Sequence, residues 1–138
     1  MSELGDQRHH SRERALEILY EAEMKDRSAL VVLNELPVRP DEYTIALLTA
    51  TMESQEEAED LISRFAVDWA LDRIALVDRL VMTMAIAEMM MPEPPPTAVI
   101  LDEAVEIAKI FSTDGSGSFV NGVLSAVAGE LTNKKGST

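Results

Sequence analysis

The chain has 138 residues and no cysteine, so its size suits one domain and it cannot form disulfides or thiolate metal sites. Its formal net charge of −13 argues against non-specific binding of nucleic acid, because a uniformly acidic surface repels phosphate groups. Any RNA site must therefore be a local basic patch, or a basic partner must complete it.

In the first half of the chain, apolar residues recur with the helical period and polar residues stand where helices begin. Ser28 and Asp41 are placed to cap helices, and Ser54 has the spacing of a capping box with Glu57. Helices are therefore predicted through residues 15–23, 29–36, 41–51 and 54–69.

In the second half, prolines and glycines separate the helical segments. The strongest break is the run 92–96, and a turn at residues 115–117 follows the next helix. Helices are predicted over residues 72–91 and 98–111, and from Ser118 onward. No segment shows the alternating pattern of a strand. The predicted fold class is all-α, a compact bundle of about seven helices within residues 1–138, with residues 1–7 and 132–138 as flexible tails.

The apolar stripes of these helices predict the buried core. The residues expected there are Leu19, Phe65, Trp69, Ile74, Val81, Ile100, Val105, Phe111 and Leu124. The methionines predicted to fill this core are Met82, Met84, Met89, Met90 and Met91.

The chain has few groups suited to catalysis. His9 and His10 are the side chains that titrate near neutral pH without perturbation, and both lie in a polar terminal segment. No phosphate-binding loop, dinucleotide fingerprint or HExxH motif is present. The acidic run 53–60 is typical of a solvated helix face, since no Glu-x-x-His pair accompanies it. We expect no catalytic residue, metal or cofactor and predict that the chain is not an enzyme; a helical enzyme subunit that uses the acidic run is the alternative.

A basic segment, residues 8–14 with the sequence RHHSRER, is the first candidate binding site. It holds three arginines and two histidines at the start of a predicted helix. Arg8 and Arg12 share a helical face and are predicted to converge on phosphate groups. A charged terminus that only keeps the protein in solution is the alternative.

The segment 97–124, with the sequence TAVILDEAVEIAKIFSTDGSGSFVNGVL, is the second candidate site. Gly122 costs about 1 kcal/mol in a helix and suggests close approach of a neighbour. The segment resembles the C-terminal signature of the NusB family, matched at Val99, Asp102, Glu103, Ala104, Val105, Glu106, Ile107, Ala108, Lys109, Phe111, Ser116, Phe119, Val120, Asn121, Gly122, Val123 and Leu124. Residues 12–21 look like the family's first helix, and residues 71–74 and 77–79 look like its central helix.

The resemblance implies a helical, non-catalytic, cytoplasmic protein. NusB proteins pair with NusE, which is also a protein of the small ribosomal subunit, and the pair binds the boxA element of nascent RNA. The complex helps RNA polymerase to read through terminators, notably on ribosomal RNA operons. The absence of an apolar leader and of a run of roughly 20 apolar residues agrees with that compartment and with no membrane association. The oligomeric state, including a homodimer, is left open.

The resemblance also implies which residues bind RNA and protein. The RNA-binding positions carried over are Arg8, His9, His10, Arg12, Arg14, Tyr20, Ser116 and Phe119. Asp72 and Asp78 match positions that face the basic NusE partner. A protein-interaction module of the same family, with little RNA binding, is the competing interpretation because the whole chain is so acidic.

Overall fold

The computed structural model describes the backbone of residues 3–136 and the side chains of residues 3–133. Six α-helices make up this part of the chain, with a 3₁₀ turn between the third and the fourth. The helices are α1 (Glu3–Met24), α2 (Ala29–Glu35), α3 (Glu42–Phe65), α4 (Leu76–Met89), α5 (Thr97–Phe111) and α6 (Ser116–Gly136), and the 3₁₀ turn is Leu71–Arg73. No strand occurs between residues 3 and 136, which confirms the all-α prediction.

Helix α3 is continuous where the sequence pattern predicts two helices. It runs for 24 residues and contains neither proline nor glycine. Ser54 lies in its interior, so the predicted capping box with Glu57 does not form. The polar residues 53–57 are mostly exposed and form the solvent side of one helix, not the boundary between two. This fusion reduces the number of helices to six.

Helix α4 forms the centre of the bundle. It packs against α1, α3, α5 and α6, and most of its residues are buried because it is apolar on nearly all sides. It begins at Leu76 and not at Asp72, since residues 71–73 form the separate 3₁₀ turn. The predicted core methionines are buried (Met82, Met84 and Met89) or half-buried (Met90 and Met91).

The predicted core is largely confirmed. The buried members are Leu19, Ile74, Val81, Ile100 and Leu124, and the half-buried ones are Phe65 and Val105. The prediction is wrong for Trp69 and Phe111, which are 52% and 42% exposed. Trp69 lies in the connection after α3 and Phe111 is the last residue of α5, so neither lies within a helix that neighbouring helices cover.

Both terminal helices extend into the segments predicted to be flexible. Helix α1 includes residues 3–7 and α6 includes residues 132–136. The remaining residues of the predicted tails, 1–2 and 137–138, lie outside the described residues.

Two of the predicted caps stand at helix starts. Ser28 caps α2, because its hydroxyl accepts a hydrogen bond from the backbone N–H of Val31 at 3.2 Å. Asp41 precedes α3, but its carboxylate accepts hydrogen bonds from the hydroxyls of Ser11, at 2.6 Å, and of Thr44. Burial raises the pKa of the Asp41 carboxyl, but these hydrogen bonds outweigh it and the pKa lies below its usual range. Asp41 thus ties α1 to the start of α3.

Candidate functional site

Arg12 lies at the centre of a buried ion-pair network that joins α1, α3, α4 and α5. Its Nε and Nη2 atoms donate to the carboxylate of Glu88 at 2.9 and 2.7 Å, and Nη1 donates to Glu103 at 3.2 Å. The hydroxyl of Tyr43 donates to the same Glu88 carboxylate at 2.5 Å. The side chains of Arg12 and Glu88 are only 3% and 1% exposed. Burial opposes the charge of Arg12, yet the hydrogen bonds and charge of Glu88 outweigh it and raise the pKa of Arg12.

The burial of Arg12 corrects its predicted role as a phosphate contact. Its guanidinium cannot reach a phosphate without leaving a buried carboxylate unpaired, which is strongly unfavourable. Arg8 and Arg12 do converge, but on the ring of Tyr43 and not on a phosphate. Their guanidinium carbons lie 4.7 and 6.0 Å from the ring centroid, and Arg8 is half-buried. Arg12 fixes the basic segment against α4 and α5, so it is a positioning residue.

The two histidines of the basic segment have different surroundings. The Nδ1 atom of His9 hydrogen-bonds to Glu103 at 2.7 Å, and its Nε2 atom lies 3.5 Å from Glu13. The hydrogen bond to Glu103 raises the pKa of His9; burial opposes this, and the charges of Glu103 and Glu13 add to it. The side chain of His10 is 78% exposed. His9 therefore belongs to the internal network, whereas His10 is open to a ligand.

The raised pKa of His9 predicts a pH-dependent contribution to stability. The pKa of His9 is higher in the folded protein than in the unfolded chain, where it is about 6.5 for histidine. Such a group stabilises the fold fully at pH values below the unfolded-state pKa. This stabilisation is lost as the pH rises through the folded-state pKa. His9→Gln should therefore destabilise the protein more at pH of about 5.5 than at about 8.5. Urea unfolding at both pH values measures this effect. His10→Gln is the matched control, and the same pH dependence in both variants would contradict the assignment.

The exposed cations of the basic segment lie beside a proline-bracketed loop. The side chain of Arg14 is 42% exposed and pairs with a neighbouring glutamate at 3.0 Å. Arg14 and His10 line a cavity of about 790 Å³ together with Arg39, which is exposed. Arg39 is not among the site residues predicted from the sequence. The signal that could have found it is a single arginine between Pro37 and Pro40, in the loop after α2.

Ser116 and Asp78 form a second buried polar contact, between the start of α6 and α4. The hydroxyl of Ser116 donates to Asp78 at 3.0 Å and accepts from the backbone N–H of Thr113 at 3.2 Å. Ser116 is 2% exposed, which corrects the prediction that it faces RNA; it orders the turn between α5 and α6. Asp78, which the resemblance implies faces a protein partner, is only 6% exposed. Its second oxygen, Oδ1, has no hydrogen-bond partner within the described residues.

A cavity of about 290 Å³ lies beside Asp78. Trp69, Arg73 and Phe119 line it with Asp78. The rings of Trp69 and Phe119 pack edge to face, with their centroids 6.4 Å apart. A buried carboxylate oxygen is costly unless a donor reaches it, so the cavity suits a hydrogen-bond-donating or cationic group. The sequence pattern placed Trp69 in the core and so missed its position here.

Two further site residues predicted from the sequence lie at the surface. Tyr20 on α1 is 41% exposed, and Asp72 is exposed in the 3₁₀ turn. The structure thus groups some of the predicted residues into one internal network (His9 and Arg12) and one cavity (Asp78, Ser116 and Phe119). Within the described part of the chain, no helix is long and apolar enough to cross a membrane, and no three His, Asp or Glu side chains are placed to hold a metal ion.

Comparison with known proteins identifies relatives over most of the chain. The model of the NusB family matches residues 9–129. The transcription antitermination protein NusB of Streptomyces griseus is 38% identical over 128 residues, which cover 85% of this chain and 88% of that protein. The NusB protein of Acidothermus cellulolyticus is 39% identical over 121 residues, covering 85% and 83% of the two chains.

Solved structures share the fold. NusB of T. maritima superposes with a TM-score of 0.80 at 32% identity, covering 89% of this chain and 91% of that chain. A chain from a crystal structure of the antitermination factors NusB and NusE with double-stranded RNA has a TM-score of 0.75 at 23% identity, covering 88% and 96%. At that identity the second likeness concerns the fold alone.

Proposed function

The chain belongs to the NusB family, and on this basis we propose that it is a transcription antitermination factor that acts by binding and not by catalysis. Its partners are NusE and boxA RNA, within the RNA polymerase antitermination complex on ribosomal RNA operons. These partners support a cytoplasmic location. The observation that carries the proposal is the 38% identity, over most of the chain, with a protein named for transcription antitermination.

The proposed RNA surface follows the exposed side of α1. The exposed side chains of His10 and Arg14 supply donors to phosphates, the half-buried Arg8 adds a third, and Tyr20 adds an exposed ring. Arg39 joins them because it lines the same cavity as His10 and Arg14. His9 and Arg12 support this surface from inside through their carboxylate partners, whereas Ser116 supports the turn that carries Phe119.

The proposed partner surface is the cavity beside Asp78. Asp72 lies exposed in the 3₁₀ turn just before it, so a basic protein meets a surface carboxylate first. A basic side chain of the partner then enters the cavity beside the packed rings of Trp69 and Phe119 and pairs with the carboxylate of Asp78. Aromatic faces favour cations, and a buried carboxylate favours a charged donor. Phe119 also gives RNA a ring next to the partner.

A protein-interaction module with little RNA binding is the second candidate. The net charge of −13 favours it, and so does the internal pairing of His9 and Arg12, which removes two cations from the basic segment. The two candidates differ in RNA affinity, so an RNA-binding measurement separates them.

Arg14→Ala/Arg39→Ala should weaken binding of boxA RNA to the complex with NusE, because each lost arginine removes a phosphate contact. Each such contact contributes about one unit to the slope of log affinity against log salt, so the slope should fall by about two. Fluorescence anisotropy with labelled RNA at several salt concentrations gives the slope.

Arg64→Ala is the matched control for this measurement. Arg64 is also an exposed arginine, 54% accessible in its side chain, and is paired with Glu130 on a different part of the surface. Its loss should leave the slope unchanged. An unchanged slope in the double variant as well would remove Arg14 and Arg39 from the RNA surface and favour the second candidate.

A further inference from the structure

A groove of about 740 Å³ runs between the first turns of α1 and the outer side of α5. Three of its apolar side chains are strongly exposed: Leu4 at 55%, Val99 at 43% and Ile110 at 56%. Grouped exposed apolar side chains of this kind mark interaction sites more often than isolated ones do. The proposed RNA and NusE surfaces leave these three residues unused.

The rim of the groove is acidic. Asp6, Asp102 and Glu106 line it, all three are exposed, and none has an ion pair or side-chain hydrogen bond within residues 3–133. Of the cations in its lining, His9 and Arg12 are held by the shared carboxylate of Glu103, at 2.7 and 3.2 Å. Arg8, over the ring of Tyr43, is the remaining cation of the lining, which therefore holds three unpaired carboxylates and one such cation.

The spacing along α5 fits a helical ligand. Val99, Glu106 and Ile110 recur at intervals of about two turns and one turn, so they form one stripe. This stripe spans 11 residue steps, or roughly 16 Å at 1.5 Å per residue. A partner helix of three to four turns would lie along it in the helix-in-groove mode.

We propose that this groove docks a basic amphipathic helix of a protein partner. Apolar side chains of that helix pack on Leu4, Val99 and Ile110, and its lysines or arginines pair with the three rim carboxylates, Asp6, Asp102 and Glu106. This interface is additional to the proposed NusE site, because none of its residues lines the cavity beside Asp78.

The net negative charge of the groove favours a basic helix over two other possible occupants, RNA and a second copy of the chain. RNA lying along the groove would meet three unpaired carboxylates against the single cation of Arg8 and be repelled. A second copy of the chain, docked symmetrically through the same groove, would bring two patches of the same net negative charge together, because such an interface uses the same patch on both subunits. A basic amphipathic helix can pack on the exposed apolar side chains of the groove and form ion pairs with its acidic residues.

The test uses a blocked synthetic peptide of about 14 residues, with leucines on one helical face and lysines elsewhere. It is titrated into the ¹⁵N-labelled full chain and followed by NMR. We expect saturable shifts in α1 and α5 around the groove. Val99→Ser/Ile110→Ser should weaken binding by at least about tenfold, and Asp102→Asn/Glu106→Gln should weaken it and reduce its salt dependence.

Two controls make the result specific. A peptide with the same composition but scrambled leucine positions should bind much more weakly, which separates docking from simple charge attraction. Leu30→Ser/Val31→Ser on α2, where the residues are 44% and 39% exposed, removes matched apolar groups outside the groove and should change nothing. The absence of saturable shifts at the groove, equal binding of the scrambled peptide, or equal loss in the control variant would overturn the proposal. So would self-association through this face on dilution analysis.

Discussion

Replacing Arg12 by Ala is expected to lower the free energy of unfolding by about 3–5 kcal/mol. The substitution leaves the carboxylate of Glu88, 1% exposed, without its charged partner and removes the ion pair to Glu103. An unpaired buried charge costs far more than the intact pair contributes. Domains of this size have a total stability of roughly 5–15 kcal/mol, so the loss should be plain in urea unfolding followed by circular dichroism.

Arg14→Ala is the matched control, since Arg14 pairs with Glu17 at the surface and its loss should cost less than about 1 kcal/mol. Arg12→Met/Glu88→Gln removes both charges together and should be less destabilising than Arg12→Ala alone. If Arg12→Ala lowers the free energy of unfolding no more than Arg14→Ala does, the network does not hold α1 in place.

Replacing Asp78 by Asn is expected to weaken NusE binding by about 30-fold or more, which corresponds to roughly 2 kcal/mol or more. Asparagine has nearly the same volume and can still accept the hydrogen bond from Ser116. It removes the negative charge that a basic side chain of the partner would meet in the cavity. Isothermal titration calorimetry with purified NusE measures the change.

Asp72→Asn is the control for this prediction. Asp72 is exposed, so its loss should act mainly on the association rate and diminish with salt. Urea unfolding of Asp78→Asn separates an effect on binding from an effect on the fold. Small and equal losses of affinity in both variants, with the fold intact, would mean that the cavity does not receive a basic side chain of NusE.

The helical fold could be predicted from the sequence because the helical period is a local property. The boundaries were harder to predict. The polar run 53–57 has the composition of a helix start, yet it is the exposed side of α3, whose buried residues Ala58, Leu61 and Ile62 continue the packing. Whether such a run ends a helix depends on the neighbouring elements, which the local pattern does not contain.

The site was predicted less well, because its residues are defined by partners distant in the chain. In sequence, residues 8–14 look like a mostly basic and exposed segment. Arg12 is buried only because α4 brings Glu88, 76 positions later, against it, and His9 is engaged because α5 brings Glu103, 94 positions later. Ser116 and Asp78 are likewise 38 positions apart. The sequence therefore indicates which residue types form the site, but only the packing separates surface contacts from internal supports.

The affinity of the chain for boxA RNA, measured with and without NusE at one fixed salt concentration, tests the proposed function most directly. Alone, the chain should bind RNA weakly, because its few exposed cations act against a net charge of −13. When NusE is bound, its basic groups offset the negative charge of the chain and add their own contacts to phosphates. The affinity for RNA should therefore rise by at least about tenfold. Fluorescence anisotropy of labelled RNA gives both values. Equal affinities with and without NusE, or no binding in either case, would contradict the proposed function.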